Sequence, residues 1–540
     1  MQDKKVNRSL VPFIKRFFSS LTDNQQVIEL AVAIQQNLEL GHTALAYDEP
    51  IEDNVISHDG QSGYIVINNR LAGFRRFFNL EKHIANDFLN SSVIPLDNKQ
   101  VKSAIEEVLQ ICNLPTPDGL DLQWQACLSS LGHTRFILDG GPGTGKTTTV
   151  IRLMLLALKL NPKCQIALSA PTGKAANRMM QSINQGLAGI NLDERSMQQL
   201  QQAAKTIHRL LGYNHETNKL NYNSTNPLPY DLIIIDESSM LDVNMTNSLL
   251  LALKPTAQLI LIGDKNQLPA VDAGNVFADL CVLLKQEQEV DLFSFYNQEN
   301  PKELTSTNFV ELTQNYRFQH DSIIAQLCQC IIERKFKSLI ALQSDNNFAL
   351  HNPQNKKEKQ LLLSKWYEDI KATETCMLLS PVNYGSNSVN ELNELAKKIN
   401  YKNAGLHHNM PIMVTKNDYT LGLFNGDIGV LKKRNGIWVV PFVIEGKEIE
   451  INLEAINGWV DANAISIHKS QGSEYDHILI ALPDDNDLEI MTNSLLYTAI
   501  SRAKKSITIW SKDTILSKTI NSNMLRTTFL KKYKIIEKKS

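Results

Sequence analysis

Four short apolar runs, "RFILDG" (135–140), "QIALSAP" (165–171), "DLIIIDE" (231–237) and "QLILIGD" (258–264), each end in a Gly-rich or polar corner. Apolar on successive residues rather than on alternate ones, they read as strands buried on both faces. Such strands, separated by helical stretches, demand a parallel sheet with helices on either side. The same texture returns in "TCMLLSP" (375–381), "HILIALP" (477–483) and "SITIWS" (506–511). Two α/β units are therefore expected, and in such sheets ligands collect at the carboxyl ends of the strands, where the polar corners fall.

A chain of 540 residues is too long for one core and should divide into about three to four domains. Residues 1–112 read as mainly helical, through "FIKRFFSSL", "QVIELAVAIQQNLELGHTAL" and "FRRFFNLEKHIANDFL". "NLPTPDGLD" then supplies a linker signal with two prolines and a glycine. The first α/β unit is expected over 113–285, and the second over 286–410 and 457–540. Between the halves of the second, "GDIGVLKKRNGIWVVPFVIEGKEIEIN" is rich in β-branched residues, with turns at Arg434-Asn435-Gly436 and Glu445-Gly446-Lys447. It reads as a small antiparallel sheet or barrel inserted over 411–456.

The formal net charge is -2, so no global basic field advertises nucleic acid. That excludes a histone-like binder but leaves room for an enzyme that grips a strand in a local groove. Seven scattered cysteines without framework spacing read as reduced thiols, the N-terminus lacks a secretory pattern, and the longest apolar stretches are about half a membrane span. A soluble cytoplasmic protein without membrane contact is expected.

"GGPGTGKTTT" follows "RFILDG" and opens a helix, the P-loop arrangement. Gly140, Gly141, Pro142, Gly143, Thr144, Gly145, Lys146, Thr147 and Thr148 are the candidate nucleotide-binding residues of this corner. The glycines let the amides close around phosphate oxygens at a helix N-terminus. Lys146 would neutralise the β- and γ-phosphates, and Thr147 would ligate Mg²⁺. "LIIIDESSM" places Asp236 for the metal and Glu237 to polarise the attacking water. Gln267, in "LIGDKNQLPAV", lies where a strand-end residue could sense the γ-phosphate. Arg317 in "LTQNYRF" and Arg502 in "LLYTAISRAKK" offer positive charge as negative charge builds on the phosphoryl group.

The P-loop, "DESSM", "GDKNQLP", "NYRF", "HKSQGSEYD" and "LLYTAISRAK", in this order, resemble the motor core of a superfamily 1 helicase. The forms "APTGKAANRM" (170–179), "TIHRLLG" (206–212) and "NDYTLGLFNGDIGVL" (417–431) are similar to the RecD family, the α subunits of bacterial exonuclease V. The likeness is strong over about 120–511 and loose before it. It implies two RecA-like parallel-sheet domains, a helical N-terminal domain and a small SH3-like β insertion. It implies ATP and Mg²⁺ as cofactors, with Gln125 in "LQWQAC" reading the adenine edge. Pro171, Thr172, His208, His468 and Lys469 match blocks that line the single-strand groove or relay nucleotide state to it. It also implies single-stranded and duplex-end DNA as substrates, 5′ to 3′ travel, and RecB- and RecC-type partners in a heterotrimer that processes double-strand breaks. Ser239 stands where the family often has Ala.

Three functions compete. The first is an ATP-driven DNA translocase inside a nuclease complex, with a stand-alone superfamily 1 helicase as its near alternative. The second is a nuclease in its own right, for which only Glu445-Gly446-Lys447 offers a candidate and no acidic partner stands upstream. The third is a non-motor P-loop switch, against which the second α/β unit with Arg317 and Arg502 speaks.

Overall fold

The computed structural model describes residues 9–533, except 113–120, 191, 202–203, 215, 286–306, 315–321, 372, 402–404, 419, 445–446, 486–488 and 524–525. Its largest element is a six-stranded parallel sheet in the order Phe309–Leu312, Arg135–Gly140, Gln258–Gly263, Leu232–Ile235, Ile166–Ala170, Lys205–Thr206. Successive residues along its central strands enter opposite cores. Leu232, Ile234, Ile260 and Ile262 pack with the helices Leu122–Leu131 and Lys146–Leu160, whereas Ile233, Ile235, Leu259 and Leu261 pack with Val243–Leu251 and Val276–Leu284. A strand with two apolar faces has no face to give to water, which is why these runs carry no alternation.

The second sheet has five parallel strands: Phe348–His351, Ala503–Trp510, Tyr475–Ala481, Cys376–Ser380 and Ala464–Ser466. It divides its residues in the same way, Ile478 and Ile480 into one core, Leu479 and Ala481 into the other. The insertion forms two three-stranded antiparallel sheets, around a core that includes Ile412, Leu431, Val440 and Phe442. Its first hairpin turns at Asn435 (φ 50°) and Gly436 (φ 86°), the left-handed pair a two-residue loop requires.

Five features differ from the sequence expectation. The N-terminal region is mixed rather than mainly helical: Val11–Ser19 and Gln25–Glu39 cover a four-stranded sheet from Leu45–Ala46, Leu71–Phe74, Ile65–Asn68 and Ile56–Ser57. Strands of two to four residues are too short to show alternation, and the hairpin between the longer two turns on Asn69 and Arg70, both at positive φ. The helices Arg75–Leu89 and Asn98–Ile111 complete the cores of the first parallel sheet, through Ile84, Phe88, Ile105 and Val108. Strand Phe309–Leu312, expected in the second unit, pairs with the P-loop strand of the first. Finally, Trp459–Asp461 pairs into the insertion, and residues 526–533 leave the second unit to pack Phe529, Leu530 and Tyr533 against the N-terminal region and the first sheet.

Candidate functional site: the cleft between two parallel sheets

The P-loop bends because Gly143 (φ 78°) and Gly145 (φ 84°) are left-handed, and Gly145 caps helix Lys146–Leu160. A side chain at Gly140 would place its Cβ 2.6 Å from Thr144 Oγ1. Lys146 Nζ donates to the carbonyls of Gly140 (2.6 Å) and Gly141 (2.9 Å). Thr147 and Thr148 are exposed in the first turn of the helix. Gln123 Nε2 braces the loop from behind by donating to the Thr144 carbonyl at 3.3 Å, while Gln125 is buried on the same helix.

Asp236 follows the strand Leu232–Ile235 and accepts the Glu237 amide at 2.8 Å. Glu237 sits at φ 52°, a left-handed conformation rare outside glycine, which turns its side chain at the strand end. Burial first, then the neighbouring Glu237 charge, holds the Asp236 carboxyl above its ordinary range, and Lys146 opposes the shift. A cation near Asp236 would restore its charge. An exposed hydroxyl and this carboxylate are hard oxygen donors of the kind Mg²⁺ takes beside phosphate. The residues therefore fit a Mg-nucleotide.

The corner after Gln258–Gly263 carries the contacts between the two sheets. Gln267 donates Nε2 to Asp264 Oδ2 at 3.2 Å, and its Oε1 is buried without a partner among the described residues. Tyr497 donates its hydroxyl to the same Asp264 oxygen at 2.9 Å. Thr498 Oγ1 accepts the Leu268 amide at 2.9 Å, and Gln471 Nε2 donates to the Leu268 carbonyl at 3.3 Å. Tyr497 also reaches the P-loop: a Cβ on Gly141 would lie 3.2 Å from its hydroxyl. Arg502 is buried one turn on, donating to the Thr498 carbonyl (3.0 Å) and to Ser501 Oγ (3.1 Å). Arg178 stands in the electrostatic field of Arg502, Glu237 and Glu474, and burial lowers its pKa. Arg317 lies outside the described residues.

A second cavity of about 200 Å³ opens alongside. Pro171, Thr172 and His208 line it, facing Leu241, the loop Pro269–Asp272 and Gln471. Thr172 caps helix Gly173–Leu187 through the Ala175 amide at 3.2 Å. His468 and Lys469 lie in the adjoining turn but do not line this cavity; Lys469 is exposed, and His468 is half-buried. Burial, and then Arg526, lower the His468 pKa, so its ring is neutral at neutral pH. Gln471 is the residue of that loop that reaches the wall.

Sequence reasoning named Gln267 and Arg502 but passed over Asp264, Tyr497 and Gln471, although each lies inside a quoted block. Gln123 and Arg178 were likewise inside blocks. Arg526 carried no signal at all.

Residues 123–273 match the AAA domain family and residues 461–509 the UvrD-like helicase C-terminal domain. The chain is 29% identical over 516 residues to the RecBCD enzyme subunit RecD of Buchnera aphidicola from Acyrthosiphon pisum, covering 87% of this chain and 84% of that one. It is 31% identical over 458 residues to the subunit of the same name from Buchnera aphidicola of Schizaphis graminum, covering 76% of each. The chain belongs to the RecD family of superfamily 1 DNA helicases. Among solved structures, Bacteroides Pif1 bound to single-stranded DNA aligns at 17% identity and a TM-score of 0.39, over 73% of this chain and 93% of that one.

As a RecD-family enzyme the chain is an ATP-dependent DNA helicase, with a nucleotide-binding first domain. Both family matches fall on the residues that face the cleft: the P-loop and Gln267 in one, Gln471 and Tyr497 to Arg502 in the other.

Proposed function

We propose that this chain is an ATP- and Mg²⁺-driven motor that moves 5′ to 3′ along single-stranded DNA, complete within one polypeptide. The observation that carries the reading is the shared corner at Asp264–Leu268. It touches the second sheet through Tyr497, Thr498 and Gln471, and it lies between the P-loop and the cavity of Pro171, Thr172 and His208. A rotation of one sheet against the other alters both places together. Lys146 holds the phosphates, Thr147 and Asp236 hold the metal, Gln125 contacts the base, and Glu237 orients the water. Gln267 senses the γ-phosphate through its side-chain amide Nε2, the donor that Asp264 Oδ2 holds at 3.2 Å. Arg317 and Arg502 neutralise charge in the transition state. Pro171, Thr172, His208, His468 and Lys469 serve the strand, and the insertion is SH3-like. The protein works in the cytoplasm and has no nuclease site of its own.

The test is ATP turnover with and without a dT oligonucleotide, and displacement of streptavidin from the 5′ or the 3′ end of a biotinylated strand. Stimulated turnover with 3′-end displacement supports the reading. Turnover indifferent to DNA, or displacement from the 5′ end, overturns it.

A second reading places the motor as the α subunit of an exonuclease V assembly with RecB- and RecC-type partners, acting on duplex ends. It is favoured by the names of the two Buchnera relatives and by an aromatic groove in the N-terminal region. Phe13, Phe17, Tyr64, Phe74 and Arg75 line that groove, and Phe13 is 64% exposed. Aromatic and Arg side chains are enriched at desolvated interface centres. Deleting residues 1–112 would strip the first sheet of Ile84, Phe88 and Ile105, so the test is Phe13→Glu. That variant should keep DNA-stimulated turnover and lose co-purification with the two large subunits. Unchanged co-purification removes this groove from the interface, and purification of the native chain alone favours a stand-alone helicase.

A further inference from the structure

The wall of the DNA cavity includes Pro269–Asp272, an irregular loop. Val271 at its tip is 83% exposed. An irregular loop cannot satisfy its own backbone, so something else must fix its course. Here the fixing group comes from the far end of the chain. Arg526 Nη1 donates to the carbonyl of Asp272 at 2.7 Å and to that of Gly274 at 2.6 Å. The guanidinium is buried and rests on the backbone of Gly41, at φ 90°, where a Cβ would lie 2.7 Å away. Gly41 in turn accepts the Gly274 amide at 2.9 Å.

The segment that follows Arg526 is anchored both to the N-terminal region and to the first α/β unit. The Thr527 carbonyl accepts the amides of Thr43 and Ala44, each at 3.1 Å, and the Thr527 amide donates to His42 Nδ1 at 2.9 Å. Thr528 Oγ1 donates to Asp279 Oδ2 at 2.7 Å, and the amides of Phe529 and Leu530 donate to Glu81 Oε2 at 2.8 and 3.2 Å. Leaving the second sheet, the chain thus forms a strap joining the N-terminal region to the first sheet, with one cation aimed at the loop of the cavity wall.

We propose that Arg526 is a positioning residue for the DNA groove: it holds the loop Pro269–Gly274 in the course that admits the strand, and contacts no DNA itself. The inference rests on the assignment of the Pro171–Thr172–His208 cavity to single-stranded DNA. Losing two hydrogen bonds to a charged donor would let the loop sample other courses, and the strand would bind only those molecules in which the wall is in place.

The experiment uses the full chain, a fluorescein-labelled dT oligonucleotide and ATP turnover against DNA concentration. Arg526→Gln, which loses the charge and the fork, should raise the half-saturating DNA concentration about tenfold, equivalent to about 1.4 kcal/mol. Its kcat at saturating DNA should stay within about twofold, because the nucleotide site is separate. Arg526→Lys, which can still donate to carbonyls as Lys146 does, should recover to within about threefold of the parent. If Arg526→Gln does not fold, Gly41→Ala presses on the same guanidinium and should shift half-saturation in the same direction. His208→Ala tests the groove assignment itself. Weaker DNA binding by His208→Ala with unchanged half-saturation in folded Arg526→Gln overturns the role of Arg526 and leaves the groove standing. No effect from either variant overturns the groove assignment. A fall in kcat and melting temperature with unmoved half-saturation makes Arg526 a stability residue only.

Discussion

Tyr497, on the helix Asn493–Ile500 that packs on the second sheet, donates its hydroxyl at 2.9 Å to Asp264, which follows the first-sheet strand Gln258–Gly263, in a buried setting. The same carboxylate oxygen takes the Gln267 amide at 3.2 Å. One atom therefore reports the position of the second sheet to the residue proposed to sense the γ-phosphate. Burial, followed by the Asp264 charge, raises the Tyr497 pKa far above the ordinary tyrosine range, so the hydroxyl remains a donor at every working pH.

Tyr497→Phe removes that donor and little volume. Net loss of a hydrogen bond to a charged group is worth about 1.5–3 kcal/mol. The expected outcome is a protein that still binds nucleotide but shows DNA stimulation reduced about fivefold or more. Turnover measured with and without dT oligonucleotide checks this. Undiminished stimulation would make the contact mere packing.

Lys146→Ala should abolish turnover while leaving the melting temperature close to that of the parent, because among the described residues Nζ hydrogen-bonds to two carbonyls of its own loop, Gly140 and Gly141. Steady-state turnover and differential scanning calorimetry check the two halves.

Arg502→Ala should lower kcat on the order of 10³-fold if the side chain acts as an arginine finger. In the structure its guanidinium is held by the Thr498 carbonyl and Ser501 Oγ. Single-turnover kinetics separate this from weakened binding: near-normal turnover with a raised KM would mean that Arg502 only binds.

Glu81 is fully buried, and desolvation raises its pKa to about 8, with repulsion from Asp279 adding to the rise. Desolvation lifts Asp279 itself to about 7. Both folded values exceed the unfolded ones, so the native state binds more protons than the unfolded state across that window. Their contribution is full below the ordinary carboxylate range and is lost as pH rises through about 7 to 8. The melting temperature should therefore fall between pH 5 and about pH 8, and Glu81→Gln should flatten that fall. Thermal melts across the range check it; a slope unchanged in Glu81→Gln would assign the effect to other groups.

The sequence by itself determined the two parallel sheets and the corners at which chemistry gathers. Strands such as Leu232–Ile235 are apolar on every residue because both faces meet helices, and that pattern can be read in one dimension. The P-loop and the Asp236–Glu237 strand end are likewise local: their geometry follows from glycines, a strand and a helix within a few residues of each other. The pairing of Tyr497 with Asp264 was not legible, since nothing local fixes how one sheet lies against the other. Nor was the small N-terminal sheet, whose strands are too short to show a period. The course of residues 526–533, with Arg526 beneath Pro269–Gly274, Thr528 on Asp279, and Phe529 and Leu530 on Glu81, depended on tertiary packing alone. Hydrogen bonds between residues 250 or more positions apart leave no spacing in the chain; their partners are chosen only when burial makes an unpaired charge or carbonyl too costly to leave.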